Sequence, residues 1–241
     1  MEVRFVPLAE AEDDEVVVVI DVLRAFTTVP WLFARGVARV LAVDRPERAV
    51  ALRDDHLPDA LLAGEVGGEP PPGFDLGNSP TEVAASSLPL EGATVIHRTS
   101  AGTQGLVRCA GSGALFAASF VTAAATARAV AALQPRRVTF VITGESLGRD
   151  GDEDLAAAEL IAARLRGLEP DAAPFLARVA PSDAGRNFTD EGPDWAPASD
   201  LEAACELDRF DRAVPAGIAT DGSGTPLGAV AAVIELRLTC G

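Results

Sequence analysis

The 241-residue sequence contains no lysine and no tyrosine, so all 20 of its basic side chains are arginine. Schiff-base lysine, phosphate-loop lysine and tyrosine acid–base chemistry are thereby excluded. Any fixed positive charge in a site has to be arginine or a metal ion. Basic charge is also outweighed: 36 acidic side chains leave a formal net charge of −16, the opposite of a surface that neutralises polyphosphate, so no nucleic-acid partner is expected. The 3 cysteines, Cys109, Cys205 and Cys240, are far apart and form no CxxC pair. That favours reduced thiols and a cytoplasmic setting over a disulfide framework or a zinc site. No apolar stretch follows the charged first residues, so no signal peptide is expected. The apolar runs fall well below the about 20 residues of a membrane span, so no membrane partner is expected either. Of the 2 histidines, His56 sits among polar residues and is expected to be exposed, whereas His97 lies at a predicted strand end and within reach of a site. Neither accompanies a GxSxG elbow, which argues against a histidine-based triad.

What the sequence does have is a 48% hydrophobic content, sufficient for a sizeable core in one large α/β domain or two closely joined lobes. Val16–Ile20 is an unbroken β-branched run, the pattern of a strand buried on both faces. Ala25–Arg35 follows at helical spacing and stops at Gly36, with Thr27 or Thr28 as cap and Pro30 in the first turn. The same alternation continues through strands predicted at Val37–Val43, Ala60–Ala63, Thr94–His97, Ala114–Ala118 and Arg137–Ile142. Helices are predicted at Pro46–Arg53, Thr81–Ser86, Thr103–Ala110 and Val121–Leu133, and from an Asp152 cap through Arg166. Strands alternating with helices imply a three-layer α/β/α fold with a mostly parallel or mixed sheet. Residues 1–241 read as one domain, less regular from about residue 168, with short helices at Ala173–Val179 and Asp200–Cys205 and a final strand within Ala229–Leu238.

Sites in such sheets gather beyond the carboxyl ends of the strands. Four segments place polar residues there. In IDVLRAFTT, Asp21 ends a buried strand as a hard oxygen ligand, and Arg24 is placed to fork onto an anionic oxygen. The 17-residue loop Gly64–Pro80 spaces Glu65, Asp75, Asn78 and Ser79 among glycines. HRTSAGT offers Thr99, Ser100 and Thr103 hydroxyls with Gly102 at a helix start, a ready anion site that is nevertheless no Walker A loop. GESLGRDGDED concentrates Glu145, Asp150, Asp152, Glu153 and Asp154 around Arg149. A chain this acidic repels anions at long range, so an anionic substrate requires concentrated local positive charge from arginine, a helix N-terminus and a divalent cation. These segments together suggest a carboxylate-bound Mg²⁺ and an arginine-plus-hydroxyl cradle for phosphate.

At the same segments the sequence resembles the 2-phosphosulfolactate phosphatase family, through IDVLRAFTT at 20–28, GEVGGEPPPGFDLGNSPTE at 64–82, TSAGT at 99–103 and EDLAAAELI at 153–161. The resemblance implies a three-layer α/β fold and Mg²⁺-dependent hydrolysis of a phosphate ester, releasing 3-sulfolactate on the path to coenzyme M. Two positions depart from the family pattern: Ala101 and Thr122 stand where asparagines are usual. On this reading Asp21, Glu65 and Asp75 hold Mg²⁺, with Glu153 and Asp154 as rival ligands. Arg24 neutralises the phosphoryl oxygens, Ser100, Gly102 and Thr103 donate hydrogen bonds, Thr99 lies in the same cradle, and Asn78 and Ser79 orient the substrate. Arg98 or Arg149 meets a second anionic group, and either a metal-activated water or an aspartate attacks phosphorus. The expected partner is a small anionic phosphorylated substrate, with a homo-oligomer possible. The alternatives are a phosphatase or lyase acting on another small phosphorylated acid, and a non-catalytic anion-binding protein that kept the fold.

Overall fold

A computed structural model describes residues 1–221, 223–227 and 233–239. Nine strands form one sheet: β1 (Glu2–Pro7), β2 (Val16–Ile20), β3 (Arg39–Val43), β4 (Leu61–Gly64), β5 (Thr94–Arg98), β6 (Ala114–Ala118), β7 (Arg137–Ile142), β8 (Val214–Ile218) and β9 (Ile234–Leu236). Their order is β1-β7-β2-β6-β8-β9-β3-β5-β4. All pairs within β1-β7-β2-β6 and within β3-β5-β4 are parallel. The antiparallel strands β8 and β9 lie between these two blocks and join them.

The helices are α1 (Ala25–Ala34), α2 (Pro46–His56), α3 (Pro80–Ala85), α4 (Gly102–Arg108), α5 (Ala123–Ala132), α6 (Asp152–Leu165), α7 (Ala173–Leu176) and α8 (Ala198–Ala204). The period-2 alternation of a strand divides β2 between two cores. Val17 and Val19 pack on one face with Phe26 and Leu32 of α1 and Leu106 of α4. Val16, Val18 and Ile20 pack on the other with Val130 of α5 and Leu160 and Ile161 of α6. Helices therefore cover both faces, giving the expected three-layer arrangement. Among the described residues, no helix is long and apolar enough to cross a membrane.

Several local expectations need correction. Thr27, Thr28 and Pro30 lie inside α1 rather than at its cap and first turn. Proline lacks the N–H that would bond the Phe26 carbonyl, and the Ser119 hydroxyl donates to that oxygen instead, at 3.0 Å. The α6 N-cap is Gly151, and Asp152, the first helical residue, pairs with Arg178. β1 went unpredicted because it is a sheet-edge strand with Arg4 and Phe5 exposed. β8 went unpredicted because Pro215 and Gly217 obscure its pattern. Of the final strand expected within Ala229–Leu238, Ile234–Leu236 is present, while residues 229–232 lie outside the described residues, as does Cys240.

Candidate active site

Two parallel strands from different blocks deliver the acidic groups. Asp21 follows β2 directly and is buried; its Oδ1 accepts the Ala25 N–H at 2.9 Å. Glu65 follows β4 and is also buried. Its Oε1 accepts the Ser100 N–H at 2.6 Å, and its Oε2 accepts the Ser100 hydroxyl at 2.9 Å and the Gly68 N–H at 2.8 Å. Burial, reinforced by the neighbouring negative charge of Glu65, pushes the Asp21 carboxyl up to about 6. Two like charges buried together favour uptake of a proton or a cation.

A second pair of carboxylates lies behind Asp21. Asp154 accepts from the Val22 N–H at 2.7 Å, the Gly144 N–H at 2.7 Å and the Thr143 hydroxyl at 3.1 Å, clamping the ends of β2 and β7 to the start of α6. Burial and the charges of Glu153 and Asp21 raise its carboxyl well above the usual range. Burial raises Glu153 as well, and its Oε2 finds no hydrogen-bond partner among the described residues.

A cleft of about 190 Å³ opens over Asp21 and Glu65, lined also by Arg24, Asn78, Ser100, Ala101, Arg149 and Trp195. A wider cleft of about 770 Å³ adjoins it, sharing Arg24, Gly68, Asn78 and Trp195, and adds Ser79 to the wall. The structure thus gathers Asp21, Arg24, Glu65, Asn78, Ser100 and Arg149 around the smaller cleft.

Arg24 does not present the free positive charge anticipated for a phosphate cradle. Its Nη1 donates to Asp200 Oδ2 at 2.7 Å and to the Trp195 carbonyl, and the guanidinium lies 5.2 Å and 5.6 Å from the ring centroids of Phe188 and Trp195. The Trp195 ring in turn covers Gly68, where a side-chain carbon would stand 2.6 Å from the ring. Arg149 donates only to the carbonyl and hydroxyl of Ser146, and it has no ion pair among the described residues. Its charge acts on the cleft's acids through space, favouring the ionised forms of Asp21 and Glu153, without a direct ion pair to either among the described residues.

Five other expected residues take different roles. Asp75 is exposed, and its Oδ2 accepts the Leu62 N–H at 2.8 Å along the outer edge of β4; it lines neither cleft. Thr99 and Thr103 cap each other: the Thr99 hydroxyl accepts the Thr103 N–H at 3.1 Å, and the Thr103 hydroxyl accepts the Thr99 N–H at 2.9 Å. Both are buried behind the cleft wall. Gly102 acts through what it lacks, since a side-chain carbon there would lie 2.6 Å from Asp21 Oδ2. Arg98 donates to the Glu65 and Asp44 carbonyls outside both clefts. His56 is exposed and His97 is buried.

Among the described residues, no three His, Cys, Asp or Glu side chains form a group that could hold a metal ion by themselves. With Asp75 elsewhere, Asp21 and Glu65 remain as the carboxylates lining the smaller cleft among the described residues. Two carboxylates, with the remaining positions filled by water and substrate oxygens, suit the donor chemistry of Mg²⁺, which dehydrates reluctantly and commonly takes only one or two protein carboxylates.

Residues 4–187 match the model of a family described as 2-phosphosulpholactate phosphatase. The chain belongs to this family. It is similar to proteins named "Probable 2-phosphosulfolactate phosphatase" from Deinococcus radiodurans (40% identical, covering 70% of this chain and 69% of the relative) and Thermus thermophilus (36%, covering 71% and 67%). The corresponding protein of Bacillus subtilis is 32% identical, with 72% and 74% covered. Asp21, Glu65, Asn78, Ser100 and Arg149 all lie within the span matched to the family.

Phe188, Trp195 and Asp200, which hold Arg24, lie beyond it. Nothing in the local sequence marks them as partners of Arg24. Asp200 is separated from Arg24 by 176 positions and looks in sequence like an ordinary first-turn acid of α8. Its burial among Arg24, Ser79 and Thr81 leaves no local signal.

Proposed function

We propose that this protein is a Mg²⁺-dependent phosphatase that hydrolyses 2-phosphosulfolactate to 3-sulfolactate and phosphate, placing its product on the path to coenzyme M. The observation that carries the reading is the cleft itself, where Asp21 and Glu65 face Arg149, Asn78 and Ser100. Asp21 and Glu65 would hold Mg²⁺, which supplies positive charge where the phosphoryl oxygens accumulate negative charge. Arg149 binds an anionic oxygen of the substrate, and its neutral, weakly held resting contacts leave the guanidinium free to turn towards it. Asn78 donates from the opposite wall. Ser100 holds both Glu65 oxygens in place through its N–H and hydroxyl. Trp195 and Phe188 limit access of water beside Arg24. Asp21, whose Oδ1 accepts the Ala25 N–H, lines the cleft and serves there as metal ligand or proton holder.

One observation favours a second reading, in which the substrate is another small phosphorylated acid. Ala101 lines the cleft with a methyl group at a position where the family usually carries an amide. A phosphate-release screen over small phosphorylated acids, run with Mg²⁺ and with chelator, separates the two. Turnover of 2-phosphosulfolactate that disappears with chelator supports the first reading, preferred turnover of a different acid supports the second, and no metal-dependent turnover at all removes both. Asp21→Asn is expected to abolish most activity, while Asp75→Asn leaves kcat/KM within about twofold.

A further inference from the structure

His97 is the one fully buried histidine, set at the penultimate position of β5 between Ala63 of β4 and Ala42 of β3, its register partners on either side. Two small neighbours on the same sheet face leave room for an imidazole there. Its Nε2 lies 3.2 Å from Asn78 Oδ1, and its Nδ1 has no partner among the described residues. Asn78 is itself buried, lines both clefts, and makes no other side-chain hydrogen bond among the described residues.

We propose that His97 is a positioning residue: its Nε2–H fixes the Asn78 carboxamide with the NH₂ group turned into the cleft, where it donates to an anionic oxygen of the substrate. The alternative arrangement would place the amide NH₂ against an Nε2 lone pair and leave an Nδ1–H buried without an acceptor. A buried orphan N–H is rarer in native structures than an under-used acceptor, so the Nε2–H tautomer is the one the environment selects. The ring stays neutral across the working range, because burial without a carboxylate partner pulls its ionisation down to about 4. A charged imidazolium would add one more cation to the wall, whereas a neutral ring acts only by orienting the amide. The proposal goes beyond the phosphatase reading but rests on it in one respect, that the cleft takes an anion.

Two measurements test it. In ¹⁵N-labelled unliganded protein, the imidazole resonances should show a protonated Nε2 and a bare Nδ1 from pH 6 to 9; a protonated Nδ1 overturns the assignment whatever the substrate proves to be. In steady-state assays with 2-phosphosulfolactate, His97→Leu should raise KM about tenfold, the loss of one well-placed hydrogen bond to a charged oxygen, with kcat changed by less than about twofold. His97→Gln, which keeps a donor, should recover most of that loss. In an Asn78→Ala background, His97→Leu should cause no further rise in KM, because the amide it orients is gone. Equal effects of His97→Leu with and without Asn78 would show that the ring merely supports the fold and would sink the proposal. An Nε2–H ring in a protein that does not hydrolyse 2-phosphosulfolactate refutes the substrate and leaves the positioning role standing; calorimetric titration with inorganic phosphate then provides the binding readout.

Discussion

Asp200→Asn isolates the ion pair that locks Arg24. The Asp200 side chain is 0% exposed and that of Arg24 3%, and they meet at 2.7 Å. Asparagine retains an oxygen to accept from the Ser79 hydroxyl at 2.8 Å and from the Thr81 N–H at 3.2 Å, so the start of α3 keeps its partners. What changes is the other oxygen, replaced by an NH₂ that faces the Arg24 donor. Removing one member of a buried pair strands the other charge in a poor solvent and costs about 3–5 kcal/mol. In a chain of this length each kcal/mol moves Tm by about 2–4 °C, so a fall of about 10 °C is expected in thermal denaturation, with a matching shift of the urea midpoint at unchanged slope. Arg24→Met combined with Asp200→Asn should regain most of the loss, since no charge is left unpaired and a thioether fits between the Phe188 and Trp195 rings. A loss below about 1 kcal/mol for the single change, the range of an exposed pair, would show that Arg24 is solvated and that the 188–200 segment does not hold it.

Arg149→Met should weaken competitive inhibition by inorganic phosphate about tenfold, whereas Arg24→Met, whose charge Asp200 already balances, should weaken it far less; the reverse ranking would restore Arg24 as the phosphate ligand. Gly102→Ala forces a carbon against Asp21 Oδ2, with Ala25 Cβ only 2.8 Å away, and should lower kcat/KM more than tenfold by displacing that carboxylate while costing about 1–3 kcal/mol in stability; a wild-type rate would place Asp21 outside the reaction. Asp21 gives a signed pH effect. Its folded-state carboxyl titrates near 6 and its unfolded one near 3.8, so the native state holds the extra proton and stability contributed by Asp21 falls as pH rises between those values. In chelator, Asp21→Asn should therefore gain on the wild type by about 2 kcal/mol on going from pH 4 to pH 7, and added Mg²⁺ should raise wild-type Tm above pH 6 more than that of the variant. A gap between the two proteins that is flat with pH would contradict the burial argument.

The parallel strands were legible because β2 and β6 are apolar throughout their buried lengths and β7 is interrupted only by Thr139, a pattern that needs no knowledge of partners. Glu65, Asn78 and Arg149, which line the smaller cleft, stood out in sequence as polar residues flanked by glycine in the loops beyond the sheet. Asp75 was misread for the same reason: its position after a glycine-rich stretch looks like a ligand in sequence, but the neighbouring chain runs beside the open edge of β4, where Asp75 bonds a strand N–H. Thr99 and Thr103 were misread because four-residue hydroxyl spacing serves a helix start as readily as an anion. Asp200 and Trp195 were beyond reach, since their meaning depends on a fold that returns them to Arg24 after more than a hundred and seventy positions.

The antiparallel pair β8 and β9 has a consequence for how this protein fails. It lies between β6 and β3, so if it peels away, two internal strands lose a neighbour at once and present unpaired backbone to solvent. The same event removes the strand pairing between the block carrying Asp21 and the block carrying Glu65 and leaves them joined through the core under α1 and α4. Loss of turnover and the onset of intermolecular strand pairing would then be a single transition, so that inactive protein would be found in aggregates rather than as a soluble, idle monomer.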